Sequence, residues 1–250
     1  MQRYFLKQTY DEKEPLIVVA DENVHHMKNV MRMEAGNVAY LVFQNGVSML
    51  AEVAEVLDDR LVYKAVQFEE SMRELPSDIT IATGFPKGDK LELIVQKGTE
   101  LGAHEFKAFP AKWSVVKWDG KKLAKKQERL TKIAQEAAEQ SHRTHAPEVE
   151  LLTSEKQLVE LFESYDTVLV AYEESAKEGE RANLAKTFLH TQAGNKILAI
   201  FGPEGGFAPE EIEEFQAQGA LLVGLGPRIM RAETAPLYLL AAASYQWELL

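Results

Sequence analysis

The chain has no cysteine. That excludes a disulfide scaffold, a cysteine nucleophile and a zinc site built on thiolates, and it suits a reducing compartment. Long apolar runs are missing as well. None approaches the roughly 18 residues that a membrane-crossing helix needs, and the opening Met1-Gln2-Arg3-Tyr4-Phe5-Leu6 lacks the apolar stretch of a secretory signal. The expectation is a soluble, cytoplasmic protein. Positive charge is scarce, with 28 Lys and Arg against 39 Asp and Glu, a net charge of −11. Such a balance speaks against wholesale nucleic-acid binding, which rests on cations that neutralise phosphates. The distribution of charge matters more than its total. Over residues 112–145 nine basic residues meet four acidic ones, +5, which leaves −16 for the rest of the chain. Two readings fit that stretch: an RNA-docking face, or the solvated surface of a helix. There is no internal repeat and no low-complexity tract. What remains is ordinary globular composition over 250 residues, 46% hydrophobic and 27% charged, enough for one large domain or two modest ones.

Residues 1 to about 72 carry short strand signals. Apolar runs at 16–20 and 38–43 are followed by Gln44-Asn45-Gly46-Val47, in which Asn-Gly marks a tight hairpin turn. Strands returning over 47–56 and 60–68 suggest a small β-barrel. Residues 22–33 predict a helix with Val24, Met27, Val30 and Met31 on one face. The stretch 69–78, with Pro76 and no periodicity, reads as a linker. Beyond it the pattern changes. Strands at 79–84, 105–109, 167–172, 196–201 and 219–225 alternate with helices at 89–101, 121–140, 210–217 and 234–250. Asp89 and Glu92 are spaced as a capping box, and Gly102 is placed to end that helix. Strands apolar throughout, alternating with helices, predict a parallel sheet covered on both faces, an α/β domain.

In such sheets ligands bind beyond the carboxyl ends of the strands. Two of those ends carry glycine loops: Gly202-Pro203-Glu204-Gly205-Gly206-Phe207, and Gly224-Leu225-Gly226-Pro227-Arg228. Glycine lets a backbone turn sharply and approach a ligand closely. A phosphate cradle fits poorly, because no Lys-Ser or Lys-Thr pair follows the glycines and the spacing is not G-x-G-x-x-G. Glu204 would repel phosphate and suits a ligand with hydroxyls or a positive centre. S-adenosylmethionine fits that description, through its ribose hydroxyls and its sulfonium. The bland reading is two ordinary strand-to-helix turns. A third segment, Arg228-Ile229-Met230-Arg231-Ala232-Glu233-Thr234-Ala235-Pro236, sets two arginines before a helix start, with Thr234 a suitable N-cap. A helix N-terminus favours an anion such as an RNA phosphate. The alternative is capping with surface salt bridges.

These residues carry a resemblance. The two carboxyl-terminal motifs, in this order, are similar to the paired signature of the RsmE family, SPOUT-superfamily methyltransferases that act on N3 of a uridine in 16S ribosomal RNA. Pro86-Lys87-Gly88-Asp89-Lys90 with Gln96-Lys97-Gly98-Thr99-Glu100-Leu101-Gly102 fits the same family, as does Glu136-Ala137-Ala138-Glu139-Gln140-Ser141-His142-Arg143. Weaker matches lie at Arg3-Tyr4-Phe5 and from His25-His26 through Arg32. Two departures stand out. Met230 replaces the usual Leu, a nearly volume-conserving swap. Ala208 stands where a hydroxyl residue is common, and its side chain cannot cap the next helix, with Pro209 a partial compensation.

The resemblance implies a PUA-like RNA-binding β-barrel over 1–72 and a trefoil-knotted SPOUT methyltransferase domain with a parallel sheet over 73–250. The knot is implied by family alone, since threaded chains are rare. The cofactor implied is S-adenosylmethionine, bent among loops at Gly202, Glu204, Gly205, Gly206, Leu225, Gly226, Ile229, Met230 and Thr234. Arg3, His25, His26 and Arg32 are the implied RNA contacts, each with a structural alternative. Trp113 and Trp118 are candidates for stacking on a base or for packing. A homodimer is implied, with the apolar final helix as candidate interface, and neither metal nor membrane. The sulfonium makes its methyl carbon electrophilic, whereas uracil N3 must first lose its proton. Arg228 or Arg231 is the candidate to stabilise charge on a uracil carbonyl oxygen; Glu204 is a candidate base or a cofactor ligand. The rival readings are a ribosome-assembly factor without catalysis, a nucleotide-dependent enzyme, and a related methyltransferase acting on a ribose 2′-hydroxyl or on guanine.

Overall fold

A computed structural model of the chain describes residues 1–70, 73–118, 120–172 and 183–250. The chain divides into two units, one of Met1–Glu74 with Ala138–Ala146, the other of Leu75–Ala137 with Pro147–Leu250.

In the first unit, β1 (Arg3–Phe5), β2 (Ile17–Val19), β3 (Val38–Val42), β4 (Ser48–Val56) and β5 (Leu61–Phe68) form one sheet in the order β1-β3-β4-β5-β2. The β1–β3 pair is parallel and the others antiparallel. Among the described residues the ladder does not close between β1 and β2, so the predicted barrel is open. The β3–β4 turn falls on Asn45-Gly46, with Gly46 at φ 78°, the positive φ that such a hairpin demands. Tyr4, Leu41, Met49, Val53, Leu61 and Tyr63 fill the core.

The helix predicted over 22–33 is shorter. Helix α1 (Asn23–His25) passes into a wide turn, His26–Val30, in which the Met31 N–H reaches the His26 carbonyl at 2.9 Å. Packing explains the change. The buried Tyr63 hydroxyl lies within donor distance of both Met27 Sδ (3.3 Å) and Met33 Sδ (3.4 Å) and can give its one proton to either. In a regular helix, at about 100° per residue, those two methionines would point roughly 120° apart. The widened turn, and Arg32 at φ 50°, bring both onto the core.

The predicted division at residue 72 gave 138–146 to the second domain, whereas contacts place Ala138–Ala146 in the first unit. The cause is the Glu74 carboxylate. It accepts from the buried Arg143 guanidinium (Nε at 2.9 Å) and from the Thr144 and His145 N–H groups at 2.9 and 3.1 Å.

In the second unit, β6 (Asp78–Gly84), β7 (Glu105–Phe109), β8 (Glu148–Leu151), β9 (Thr167–Ala171), β10 (Lys196–Phe201) and β11 (Leu221–Val223) form a sheet in the order β11-β9-β10-β6-β7-β8, parallel throughout. The helices are α2 (Lys90–Glu100), α3 (Gly120–Gln140), α4 (Glu155–Glu160), α5 (Asn183–His190), α6 (Pro209–Ala217) and α7 (Thr234–Ser244). Alternation along β10 assigns its two faces. Ile197, Ala199 and Phe201 pack with residues of α2, α3, α5 and α7. Leu198 and Ile200 pack with Leu158 of α4 and with Ile212 and Phe215 of α6. Covering both faces is why these strands read as unbroken apolar runs.

Among the described residues, four strands and α-helices escaped the sequence reading: β1, only three residues long; β8, an edge strand of alternating burial; α4, too short for a period; and α5. The capping box at Asp89 does not form, and Glu92 instead accepts from Lys126 Nζ and Arg129 Nη2, both at 2.7 Å.

Candidate active site

Strands β11, β9 and β10 end in register, with Val223 beside Ala171 and Ala171 beside Phe201. The two glycine loops therefore leave the same end of the sheet, with the end of β9 between them. Residues 202–207, 229–232 and 235 border one cleft of about 640 Å³, joined by Lys90, Trp113, Ala171 and Tyr172.

The first loop is folded tightly on itself. A Cβ on Gly202 would sit 3.0 Å from the Gly206 carbonyl carbon, and Gly206, at φ 74°, donates its N–H to the Pro203 carbonyl at 2.9 Å. The end of β6 presses against the loop: a Cβ on Gly84 would meet Pro203 Cδ at 2.5 Å. At Gly206 itself a Cβ would meet nothing within 4 Å, so bare backbone faces open space. That suits a ligand approached by main-chain groups.

The charge in the cleft centres on Lys90. Its Nζ lies 2.9 Å from Glu204 Oε1 and 3.3 Å from Glu233 Oε2, and the Lys87 N–H donates to Glu204 Oε1 at 3.0 Å. Partial burial pushes the Glu204 carboxyl up, but the hydrogen bonds from Lys90 and the backbone outweigh it and hold the group below the ordinary carboxylate range. Hydrogen bonding to Glu204 in turn raises Lys90. Arg231 reaches Glu233 only at 4.0 Å and leaves 83% of its side chain exposed.

Of the predicted site residues, Gly202, Glu204, Gly205, Gly206, Ile229, Met230 and Arg231 border the cleft. Leu225, Gly226, Arg228 and Thr234 lie on the same loops but not on its lining. Thr234 is the first residue of α7 rather than its cap, which falls at Glu233. Ala208 lacks a capping side chain, and Glu211 supplies the missing contact: its buried carboxylate accepts the Ala208 N–H at 2.6 Å and the Lys112 N–H at 2.8 Å. Sequence reading assigned no role to Lys90, because its partners stand 114 and more positions away. The only signal was its place in the Pro86–Lys90 motif.

In the first unit, the expectation that Arg3 contacts RNA is corrected. Its side chain is fully buried and donates through Nη2 to both Glu69 oxygens, at 2.9 and 2.7 Å, and through Nη1 to Ser48 at 3.1 Å. Tyr40 covers the guanidinium at 4.8 Å. His25, His26 and Arg32 are exposed, and His26 Nδ1 is hydrogen-bonded to the Tyr4 hydroxyl at 3.1 Å. Burial, followed by the charge of Glu139, pushes that hydroxyl up to about 12. Among the described residues no three His, Asp or Glu side chains gather as a metal site, and no helix is long and apolar enough to cross a membrane.

Known proteins share this sequence pattern and fold. Residues 73–244 match the family model described as an RNA methyltransferase domain, and residues 19–66 that of an RNA methyltransferase PUA domain. Ribosomal RNA small subunit methyltransferase E of Bacillus subtilis is 47% identical, covering 100% of this chain and 98% of its own. The chain belongs to the ribosomal RNA small subunit methyltransferase E family. A crystal structure of the Neisseria gonorrhoeae protein of that name, bound to S-adenosylmethionine, superposes with a TM-score of 0.83 at 25% identity, covering 99% of this chain and 98% of the other. A methyltransferase from Legionella pneumophila, also holding that cofactor, gives 0.80 at 27% identity, with 97% and 96% covered.

Proposed function

We propose that the chain methylates N3 of a uridine in 16S ribosomal RNA of the small ribosomal subunit, with S-adenosylmethionine as donor, as a cytoplasmic step of ribosome biogenesis. The observation that carries this reading is one cleft bordered by the glycine loop 202–207 and by Ile229, Met230 and Arg231, which follow the second glycine loop, in a member of this family. When bound, S-adenosylmethionine supplies a methyl carbon made electrophilic by its sulfonium sulfur. The chain's own residues bind, orient and handle charge. Gly202, Gly205, Gly206, Ile229 and Met230 offer backbone and apolar surface to the cofactor, and Leu225, Gly226 and Thr234 shape the loops behind them. Glu204, kept ionised by Lys90, suits ribose hydroxyls and is a weak base. Arg231 faces the cleft and Arg228 does not, which favours Arg231 for the negative charge that develops on a uracil carbonyl as N3 loses its proton.

In this reading the first unit holds RNA, with His25, His26 and Arg32 as outward-facing contacts, and the second unit forms the methyltransferase domain with the trefoil knot of the SPOUT superfamily. A homodimer completes the assembly. It is supported by Tyr238, Tyr245, Leu249 and Leu250, apolar groups left exposed in and beyond α7. The test is incubation with S-adenosylmethionine and small subunits from cells lacking this gene, followed by nucleoside mass spectrometry. N3-methyluridine is the expected product, and Arg231→Ala should lower kcat on the order of 10- to 100-fold with unchanged cofactor affinity. Another methylated nucleoside would replace the target, and no cofactor binding would leave an assembly factor.

A further inference from the structure

Three tryptophans stand in the sequence, and one of them leaves nearly half of its surface exposed. Trp118 lies 4.4 Å from the Phe85 ring, and Trp247 donates its indole N–H to the Phe188 carbonyl at 3.0 Å. Trp113 borders the cleft and remains 46% exposed. Its root is nevertheless fixed. A Cβ on Gly205 would sit 3.1 Å from Trp113 Cβ and 3.5 Å from its carbonyl oxygen, so the cofactor loop is packed against the residue's backbone end. On either side, the Lys112 N–H donates to Glu211 at 2.8 Å and the Ser114 N–H to the Ala111 carbonyl at 2.9 Å. A held stem thus presents a half-exposed indole at the edge of the cleft.

Charge flanks that ring on the following segment. Lys112 is paired with Glu210, and Lys126 and Arg129 with Glu92. Lys117, Lys121 and Lys125 are exposed, and among the described residues none of the three is in an ion pair. Lys117 is four residues from Trp113, at most about 14 Å of extended chain. Lys121 and Lys125, four apart, share a face of the first turns of α3. In a protein of net charge −11, three unpaired cations following one open aromatic ring are suited to a nucleotide and its neighbouring phosphates. An enzyme acting on a ring nitrogen must splay the base out and hold it flat, and aromatic faces do that for single-stranded RNA.

We infer that Trp113 is the platform on which the target uracil stacks, and that Lys117, Lys121 and Lys125 hold the phosphates beside it. This rests on the methyltransferase reading above. The occupant that competes for the ring is the cofactor's adenine.

Trp113→Ala separates the two, because it keeps the Cβ and carbonyl that lie nearest Gly205 and removes the ring, of which only Cε3 comes within 3.9 Å of a Cβ built there. Cofactor affinity, measured by calorimetry, should stay within about twofold. Affinity for unmodified 16S ribosomal RNA, and kcat/KM on small subunits, should fall by roughly 5- to 150-fold. Trp113→Phe should restore most of both. Lys117→Glu/Lys121→Glu/Lys125→Glu should raise KM for the subunit and leave cofactor affinity alone. A Trp113→Ala protein that binds RNA as the wild type does overturns the proposal. So does one that loses cofactor affinity while its RNA affinity holds. RNA binding is read without turnover, so a wild type that binds RNA through Trp113 but transfers no methyl group would sink the methyltransferase reading and leave the platform standing.

Discussion

Lys90 carries a single charge and touches two carboxylates, one on each strand-end segment of the cleft. Its removal leaves Glu204 with the burial that pushes its carboxyl up and without the cation that holds it down. Lys90→Met should therefore weaken cofactor binding through a misplaced Glu204. With side chains 30% and 26% exposed the pair is partly screened, so a loss of about 1 kcal/mol, roughly fivefold in Kd, is the scale. The pH profile carries a sign. The folded pKa of Glu204 is depressed, so the wild-type carboxylate survives into acid below the ordinary range. In Lys90→Met it protonates at higher pH, and affinity should decline earlier as pH falls. Calorimetric titration between pH 4 and 8 checks both points; identical profiles would remove Glu204 from the cofactor site. The glycines of this site were legible because a turn and a close approach leave few residue choices. Lys90 was not, because only the folded sheet brings it to Glu204.

At the scale of elements, two carboxylate contacts make opposite predictions. Glu69 is buried with Arg3. Burial pushes it up, but Ser48 and Arg3 more than offset this and hold it low. Arg3→Met leaves the Glu69 carboxylate with the Ser48 hydroxyl and with the more exposed Arg73, 3.4 Å away, at a cost of about 1.5–3 kcal/mol, readable by urea denaturation. The contribution of this pair is present above the ordinary carboxylate pKa and is lost as pH falls through the depressed folded value. A variant of full stability that binds RNA poorly would return Arg3 to the RNA surface. Glu155, on α4, hydrogen-bonds the Glu211 carboxyl of α6. Burial first, then that like-charged neighbour, pushes it up to about 8. Here the folded state holds a proton that the unfolded chain has released. Stability from this contact is full near the ordinary carboxylate pKa and declines as pH rises towards about 8. Glu155→Gln should flatten that decline and raise Tm at pH 8; an unchanged slope in scanning calorimetry would show that the carboxyls do not share a proton. Neither pair was legible in the sequence. Arg3 read as a surface cation because a three-residue strand carries no periodic signal of its burial.

For the molecule as a whole, an acidic chain that binds RNA must do so through few contacts. Three free lysines predict a shallow salt dependence, with log K falling against log salt at a slope of about −2 to −3. Filter binding of 16S ribosomal RNA across 50–300 mM salt measures it. A slope near zero would mean that the basic segment is merely solvated.

The sequence by itself determined the elements whose signals are local. Unbroken apolar runs specified strands buried on both faces, Asn45-Gly46 specified a hairpin, and the glycine motifs specified loops with few alternatives and, through them, the family. Tertiary structure decided whatever depends on residues far apart in the chain. It widened the turn after α1 so that Met27 and Met33 could both reach Tyr63. It turned Glu92 from a cap into a partner of α3, buried Arg3, and drew residues 138–146 to Glu74. It also set Trp113 and Lys90 at the cleft. The physical reason is common to all of these. A local pattern states which way a side chain faces, but the charge or ring it will meet is fixed only when the sheet brings distant strands together.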